Sequence, residues 1–191
     1  NMTQTYDGNS HTATVATIPQ GLALTNTYNG SLSPPINAGS YAVTSVVYDL
    51  IYQGSIVRTL TITRAEQAIN FPDPGPQWTT NLVGLSATAD SGLPVAFSVA
   101  SGPGVIYGVT NLSFTGSGVV SVVASQAGNS NHAPAFVTNT MEVAKAAASV
   151  TLTNLTQTYD GTARLAGYAT VPSGLSVLLT YDGSATAPVN A

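Results

Sequence analysis

The stretch Asn37-Ala38-Gly39-Ser40-Tyr41-Ala42-Val43 decides the fold class of this chain. Turn-forming residues lead into an alternating run, which is the pattern of a β-strand with one buried face. In two-sheet β-sandwiches, a tyrosine at the start of a late strand bonds through its hydroxyl to upstream backbone, and the position two residues later points into the core. Tyr41 and Val43 take these two places. Gly39 and Tyr41 are therefore predicted to be structural residues.

Short alternating runs separated by turn residues continue on both sides of this motif, and Asn-Gly and Asp-Gly pairs between them are typical of tight hairpins. The predicted strands are 12–18, 22–28, 41–48, 55–63, 67–71, 82–89, 95–100, 104–108, 110–115, 118–125, 136–144, 149–154, 164–171 and 175–181. The Ala-rich stretch 144–148 is too short for a stable helix. We therefore predict an all-β chain of immunoglobulin-like β-sandwich modules arranged end to end.

An internal repeat sets the predicted module boundaries. NMTQTYDG at residues 1–8 returns as NLTQTYDG at 154–161, and residues 1–38 align with 154–191 without a gap, at 20 identical positions. We predict three modules: 1–65, which lacks its first strand, a complete module at 66–146, and 147–191, which is truncated at its C-terminus and is expected to be the least ordered. Because the joints are short, with no Gly/Ser-rich linker, a semi-rigid rod is expected.

The repeated Tyr-Asp-Gly motif is interpreted as turn chemistry that returns because the module returns. Asx-Gly pairs tolerate the backbone conformations of tight turns. Tyr6 and Gly8 in the first copy, and Tyr159 and Gly161 in the second, are accordingly predicted to be structural residues.

Composition argues against several partner classes. Charged residues are 6% of the chain and the net charge is −4, with four basic residues in total. Nucleic acid and anionic membrane surfaces are bound by clustered Lys and Arg, which this chain lacks, so neither is an expected partner. There is no cysteine and no apolar run long enough to span a membrane, so we expect no disulfide, no thiolate metal site and no membrane insertion in this segment.

The inventory of reactive side chains predicts that the chain is not an enzyme. His11 and His132 are its two histidines, both in predicted surface segments and neither in a nucleophile motif. The two histidines do not have the spacing of a zinc site. No cofactor is expected, and the metal alternative is calcium at the first joint, where Glu66 and Asp73 offer oxygens.

The single tryptophan, Trp78, is the candidate residue for ligand binding. It follows a Pro- and Gly-rich stretch, and the favoured interpretation is that it caps one end of a sandwich. In the alternative, Trp78 and the loops 72–81 and 126–135 contact a surface glycan or a protein.

Residues 1–63 contain an ordered series of short motifs, namely Tyr6-Asp7-Gly8, Pro19 to Leu22, Tyr28 to Ser31, Asn37 to Tyr41, Tyr52 to Ser55 and Thr59 to Ile62, and residues 154–191 repeat the first half of this pattern. In this order the motifs resemble the MBG-type repeats of bacterial surface and secreted proteins. Residues 66–146 resemble the bacterial Ig-like repeat found between such modules, with its marks at 67–71, 85–89, 91–95 and 124–129. Where such repeats hold an aromatic after Gly128, this chain holds His132.

The resemblance implies repetitive extracellular architecture and carries over no catalytic residue. The leading hypothesis is that the chain consists of structural spacer or stalk repeats of a large bacterial cell-surface or secreted, adhesin-like protein, whose partners are the neighbouring repeats. The alternatives are a carbohydrate- or protein-binding module and an accessory region of a secreted hydrolase.

Overall fold

The computed structural model describes residues 2–189, and over that range the chain is all-β, as predicted, with no helix. Its strands are β1 Thr3–Thr5, β2 Leu24–Tyr28, β3 Gly39–Val47, β4 Ser55–Thr63, β5 Ile69–Asn70, β6 Gln77–Trp78, β7 Val83–Gly84, β8 Thr88–Ala89, β9 Ala96–Ser101, β10 Gly104–Tyr107, β11 Asn111–Phe114, β12 Gly118–Gln126, β13 Ala135–Ala144, β14 Ser149–Thr153 and β15 Gly167–Val171. The chain divides into two compact units, Asn1–Ala144 and Lys145–Ala191.

The first unit begins with a four-stranded sheet in the order β1-β4-β3-β2. β1 runs parallel to β4, with Thr3 opposite Thr61, and the other neighbours are antiparallel. One face of this sheet carries a hydrophobic cluster, which we call the first core. Its buried residues are Ala13, Tyr28, Val43, Leu60 and Ile62.

The same unit contains a second, larger hydrophobic cluster, which we call the second core. It lies among the sheets β6-β13-β12-β9, β10-β11-β7 and β5-β8. Its buried residues are Ile69, Phe71, Leu85, Ala89, Leu112, Val120, Val122, Ala124, Met141 and Val143. The two cores share no residue, although both belong to one compact unit, and a division of this unit at residue 65 stays a prediction.

The second unit contains the two-stranded antiparallel sheet β14-β15, with Ser149 opposite Val171 and Thr153 opposite Gly167. All five residues of β14 are exposed. Among the described residues of this unit, Thr170 and Ala187 are the buried ones. Its expected lower order stays a prediction.

Two predicted strands, 12–18 and 175–181, are wrong. Residues 11–18 do alternate between more and less buried positions, but they belong to no strand. The segment 175–181 aligns with a stretch of the first copy that contains β2, whose partner in the sheet is β3. Among the described residues no strand pairs with this segment. Alternation predicts which residues are buried, whereas a strand also needs a hydrogen-bonding neighbour.

The predicted strand 82–89 is also wrong, because it divides into β7 and β8, which pair with different partners, β11 and β5. Two further strands were not predicted. β1 and β6 are three and two residues long, and each forms a parallel pair with a strand distant in the sequence. Such short strands leave no local periodicity to recognise.

Candidate functional site

The short chain segment that connects the first and second cores is held by hydrogen bonds to a loop of the same unit. Ala65 lies on this connection, and its N–H donates to the carbonyl oxygen of Asn131 at 2.9 Å. Its own carbonyl oxygen accepts the N–H of Ala133 at 2.8 Å. These two bonds form an isolated parallel β-bridge between Ala65 and His132. His132 lies in the loop 126–133, at the end of β12.

Asn131 extends this contact to the turn that precedes β3. Its side-chain oxygen accepts the N–H of Ala38 at 2.9 Å, and its side-chain nitrogen donates to the side-chain oxygen of Asn37 at 3.0 Å. One side chain of the loop that follows β12 therefore bonds to a backbone group and a side chain of the turn before β3. We define the joint as Tyr6, Asn37, Ala38, Ala65, Asn131 and His132.

Tyr41 holds the first-core side of the joint in place. Its hydroxyl donates to the carbonyl oxygen of Asn37 at 2.8 Å, which is the backward hydrogen bond expected from the motif. The ring lies against Gly39, where an added Cβ would be 3.3 Å from the hydroxyl oxygen. Because Gly39 has no side chain, the ring of Tyr41 can reach the carbonyl oxygen of Asn37, the residue that Asn131 contacts.

The loop that carries Asn131 is fixed by its own polar side chains. The side-chain oxygen of Asn129 accepts the N–H groups of both Asn131 and His132 at 2.8 Å. The side-chain oxygen of Gln126 accepts the N–H of Gly128 and a side-chain N–H of Gln67. Gln67 and Gln126 are both buried. Because buried polar groups that are fully bonded resist rearrangement, the loop presents Asn131 in one geometry.

An aromatic contact completes the joint. The ring of His132 meets the ring of Tyr6 edge to face, with centroids 5.4 Å apart and an interplanar angle of 79°. Pairs in this arrangement contribute about 0.5–1.5 kcal/mol beyond the area that they bury. Tyr6 of the repeated motif therefore does more than flank a turn, because its ring contacts His132 in the loop that follows β12.

The predicted surface location of His11 is wrong, because this residue is only 6% exposed. His132 is half-buried in a loop. Nδ1 of His11 lies 2.7 Å from the side-chain oxygen of Gln4, whose nitrogen donates to the carbonyl oxygen of Thr12, so Nδ1 is the donor. Nε2 lies 3.2 Å from a carboxylate oxygen of Asp7, an ion-pair distance without hydrogen-bond geometry. Both ring nitrogens of His11 thus face protein groups rather than a nucleophile.

The two copies of the repeated motif build the same turn. Asp7 accepts the N–H of Asn9 at 2.9 Å, and Asp160 accepts the N–H of Thr162 at 3.0 Å. Where His11 faces Asp7, the aligned Arg164 lies 2.5 Å from Asp160. Gly8 and Gly161 follow the two carboxylates, and both have φ 83°.

These contacts lower the pKa of both carboxyl groups. For Asp7 the largest cause is the hydrogen bond from the backbone of Asn9, with a smaller contribution from the charge of His11. For Asp160 the largest cause is the hydroxyl of Thr162, followed by its backbone N–H and then Arg164.

Trp78 and Tyr159 are exposed. Trp78 lies in β6 beside Ala144 of β13, with 54% of its surface exposed, and it belongs to neither core. Tyr159 is 60% exposed, whereas the aligned Tyr6 packs against the first core. The structure therefore leaves Trp78 accessible to a ligand.

The two acidic residues suggested as calcium ligands, Glu66 and Asp73, do not come together at one site. Glu66 is exposed, and Asp73 accepts the N–H of Gly75 at 2.9 Å in a local turn. Over residues 2–189, no three His, Cys, Asp or Glu side chains are grouped as metal ligands would be. The same range contains no helix long and apolar enough to cross a membrane.

Asn131 is the joint residue that sequence reasoning missed. Its neighbour His132 was recognisable because it stands where the resembling repeats hold an aromatic. Nothing in the local sequence of Asn131 distinguishes it from the other asparagines of polar turns, since the partners of its side chain lie more than 90 positions away.

Comparison with known proteins assigns the chain to a family. Residues 1–66 and 148–191 match the MBG domain. No curated protein and no solved structure matches the chain. The two matched segments make up more than half of the chain and contain both copies of the repeat, so the chain belongs to the MBG domain family.

Proposed function

We propose that this chain is a non-catalytic spacer of a large bacterial cell-surface or secreted protein, in which MBG modules alternate with an Ig-like module at residues 66–146. The observation that carries this proposal is the joint. Asn131 bonds to Asn37 and Ala38, so the two cores of the first unit are connected by more than the chain between them.

A spacer must transmit orientation from one module to the next, and the joint has the properties for this task. Two backbone hydrogen bonds at Ala65, two side-chain bonds from Asn131 and the Tyr6–His132 ring contact act at one place. Each hydrogen bond contributes about 0.5–1.5 kcal/mol, so together they oppose bending between the cores.

The non-catalytic part of the proposal is supported by the surroundings of the histidines. The ring nitrogens of His11 face Gln4 and Asp7, and the ring of His132 contacts Tyr6. General-base catalysis needs an imidazole nitrogen directed at a nucleophile or a substrate proton. The contacts observed for both rings are with Gln4, Asp7 and Tyr6 instead.

Spin labels test the spacer proposal directly, because a chain without cysteine can be labelled at chosen positions. Cysteines replace exposed Thr25 in β2 and exposed Ser98 in β9, one beside each core. Double electron–electron resonance should give one narrow distance distribution in the otherwise natural chain and a broader one with Asn131→Ala. The variant Asn70→Ala, which changes an exposed asparagine of β5, should keep the narrow distribution. A broad distribution in the natural chain would contradict the proposal.

The exposure of Trp78 favours one alternative function, the binding of a surface glycan or a protein. Exposed indole rings stack on sugars and anchor protein interfaces. A glycan array probed with the natural chain and with Trp78→Ala tests this function. Signals that Trp78→Ala abolishes would support it, and an array without signals would count against the glycan form.

A further inference from the structure

A polar cavity of about 420 Å³ adjoins the joint in the first unit, and we call it the joint cavity. The start of β3, the end of β4 with the residue just beyond it, and the loop that follows β12 all line it, through Ser40, Thr61, Arg64 and Ser130 among others. Arg64 is the one charged residue of this lining. Sites for small ligands usually measure about 300–1,000 Å³, so the cavity has the size to hold a small molecule.

Strand pairing places two hydroxyl groups of the joint cavity side by side. Ser40 of β3 lies opposite Thr61 of β4, and the next pair along the two strands is Tyr41 with Leu60. Tyr41 and Leu60 belong to the first core. Because successive side chains of a strand point to opposite faces of the sheet, Ser40 and Thr61 lie on the outer face.

The third hydroxyl group comes from the loop that follows β12. The side-chain oxygen of Asn129 accepts the N–H groups of Asn131 and His132 and so fixes the turn that contains Ser130. Asn131 in turn bonds to the turn before β3. The joint therefore holds Ser130 beside the ends of β3 and β4.

The polar side chains of the joint cavity have no partners within the protein. Among residues 2–189, the guanidinium of Arg64 makes no ion pair and no hydrogen bond, and the hydroxyls of Ser40, Thr61 and Ser130 make no hydrogen bond. Glu66, two positions beyond Arg64, is exposed and does not line the cavity. One cation and three hydroxyl groups are thus available to a ligand at one place.

We propose that the joint cavity binds an acidic sugar through its carboxylate. The guanidinium of Arg64 donates two parallel hydrogen bonds to the carboxylate oxygens, a geometry that its planar fork matches. The hydroxyls of Ser40, Thr61 and Ser130 exchange hydrogen bonds with the hydroxyl groups of the sugar ring. The ligand contacts both sides of the joint, so it is held only while the joint is formed.

The class of ligand follows from the charge and the chemistry of the lining. A single guanidinium balances the single negative charge of a carboxylate, whereas a phosphate dianion calls for further cations that this lining lacks. A hydroxyl group both donates and accepts hydrogen bonds, so three of them suit the hydroxyl groups of a sugar. Because the site is open to solvent and holds one charge, we expect a dissociation constant on the order of 1 mM.

Titration of the isotope-labelled full chain with D-glucuronate, followed through its amide resonances, tests the proposal. We expect saturable shifts at Gly39, Ser40 and Ser130. D-glucose, which has the same ring without the carboxylate, and acetate, which has the carboxylate without the ring, should each bind at least about tenfold more weakly, because each lacks one half of the contacts. This comparison needs no variant of the chain.

Two arginine variants and one serine variant locate the site. Arg64→Gln should weaken the binding of glucuronate at least about tenfold, since the charged hydrogen bonds are lost. Arg58→Gln is the matched control, because Arg58 is an exposed cation of β4 that does not line the cavity, and it should leave binding unchanged. Ser130→Ala should weaken binding by about twofold to tenfold.

Four results would overturn the proposal. The first is the absence of saturable shifts up to about 20 mM glucuronate, well above the expected dissociation constant. The second is equal binding of glucose, which would remove the role of the charge. The third is equal binding of acetate, which would leave a carboxylate site without recognition of the sugar. The fourth is an equal loss of binding in Arg58→Gln and Arg64→Gln, which would indicate attraction by overall charge rather than a site.

Discussion

The side-chain nitrogen of Asn131 donates a hydrogen bond to the side-chain oxygen of Asn37, 3.0 Å away and 94 positions apart in the sequence. The other atom of the same amide accepts the N–H of Ala38. Because one planar amide makes both hydrogen bonds, both can form only when the loop and the turn before β3 keep their observed relative position. The joint is thus sensitive to a single side chain.

Asn131→Ala should lower the free energy of unfolding by about 1–3 kcal/mol, because the N–H of Ala38 loses its partner in a partly buried place. Chemical denaturation of the full chain, followed by tyrosine and tryptophan fluorescence, measures the change. The control is Asn70→Ala, at an exposed strand position, for which we expect a change within about 0.5 kcal/mol. Equal effects of the two variants would show that the joint adds nothing to stability.

Tyr41→Phe should cost about 0.5–1.5 kcal/mol, because the hydroxyl that bonds to the Asn37 carbonyl is removed. Since Asn37 also contacts Asn131, the effects of Tyr41→Phe and Asn131→Ala should not add. A double-mutant cycle measured by denaturation is expected to give a coupling of at least about 0.5 kcal/mol. Strict additivity would mean that Tyr41 stabilises its own turn without influencing the joint.

Gly128→Ala and Gly8→Ala separate the two ways in which replacing a glycine destabilises the chain, through backbone conformation and through steric overlap. Both glycines have positive φ, 77° and 83°. At Gly8 a Cβ meets no atom within 4 Å, whereas at Gly128 it would lie 2.5 Å from the carbonyl oxygen of His132. Gly8→Ala should therefore cost about 1–2 kcal/mol, the price of the left-handed backbone alone.

Gly128→Ala should destabilise the chain by clearly more than Gly8→Ala, because the loop carrying Asn131 must move. Thermal unfolding compares the two variants, with Gly161→Ala as a matched reference, since Gly161 has the same φ and the same open space as Gly8. If Gly128→Ala and Gly8→Ala shift the midpoint equally, the loop is less constrained than its hydrogen bonds indicate.

Acid should weaken the two Tyr-Asp-Gly turns. The folded-state pKa of Asp7 and of Asp160 is below the usual 3.8, so their stabilising contribution is complete above pH 3.8 and is lost as the pH falls through the folded pKa. Thermal midpoints measured from pH 6 to pH 2 should fall less steeply below that value in Asp7→Asn and Asp160→Asn than in the natural chain.

A third carboxyl variant serves as the control for this pH series. Asp182→Asn changes a carboxylate in a turn where the first copy already has Asn29, with φ 50° and 48°. Because the first copy already holds an amide at this position, Asp182→Asn keeps the turn and controls for the loss of one carboxylate as such. If the pH profile of Asp160→Asn follows that of the natural chain, the lowered pKa of Asp160 has no effect on stability.

Local sequence predicted much of the structure, for identifiable reasons. The alternating run after Gly39 predicted β3, and turn residues bounded β4, β12 and β13 closely. The backward bond of Tyr41 followed from its place at the start of a strand. These features depend on neighbours in sequence, so a periodic pattern is enough to recognise them.

Pairing between distant segments could not be predicted in this way. Residues 12–18 have the alternation of a strand but no partner, whereas the aligned β15 has one in β14. β1 and β6 are strands only because β4 and β13 offer them parallel edges. His11 was expected at the surface, yet Gln4 and Asp7 surround its ring in the folded chain.

The sequence by itself determined the all-β class, the two copies of the MBG pattern and the turns that each copy forms, because all three depend on residues that are close together in the sequence. Only the tertiary structure decided that Asn131 contacts the turn before β3, that His132 contacts Tyr6, and that residues 14–18 belong to no strand. The repeated Tyr-Asp-Gly motif shows both levels at once. Its turn is local and occurs twice, whereas the contact of Tyr6 with His132 exists because a distant loop, fixed by its own hydrogen bonds, lies against that ring.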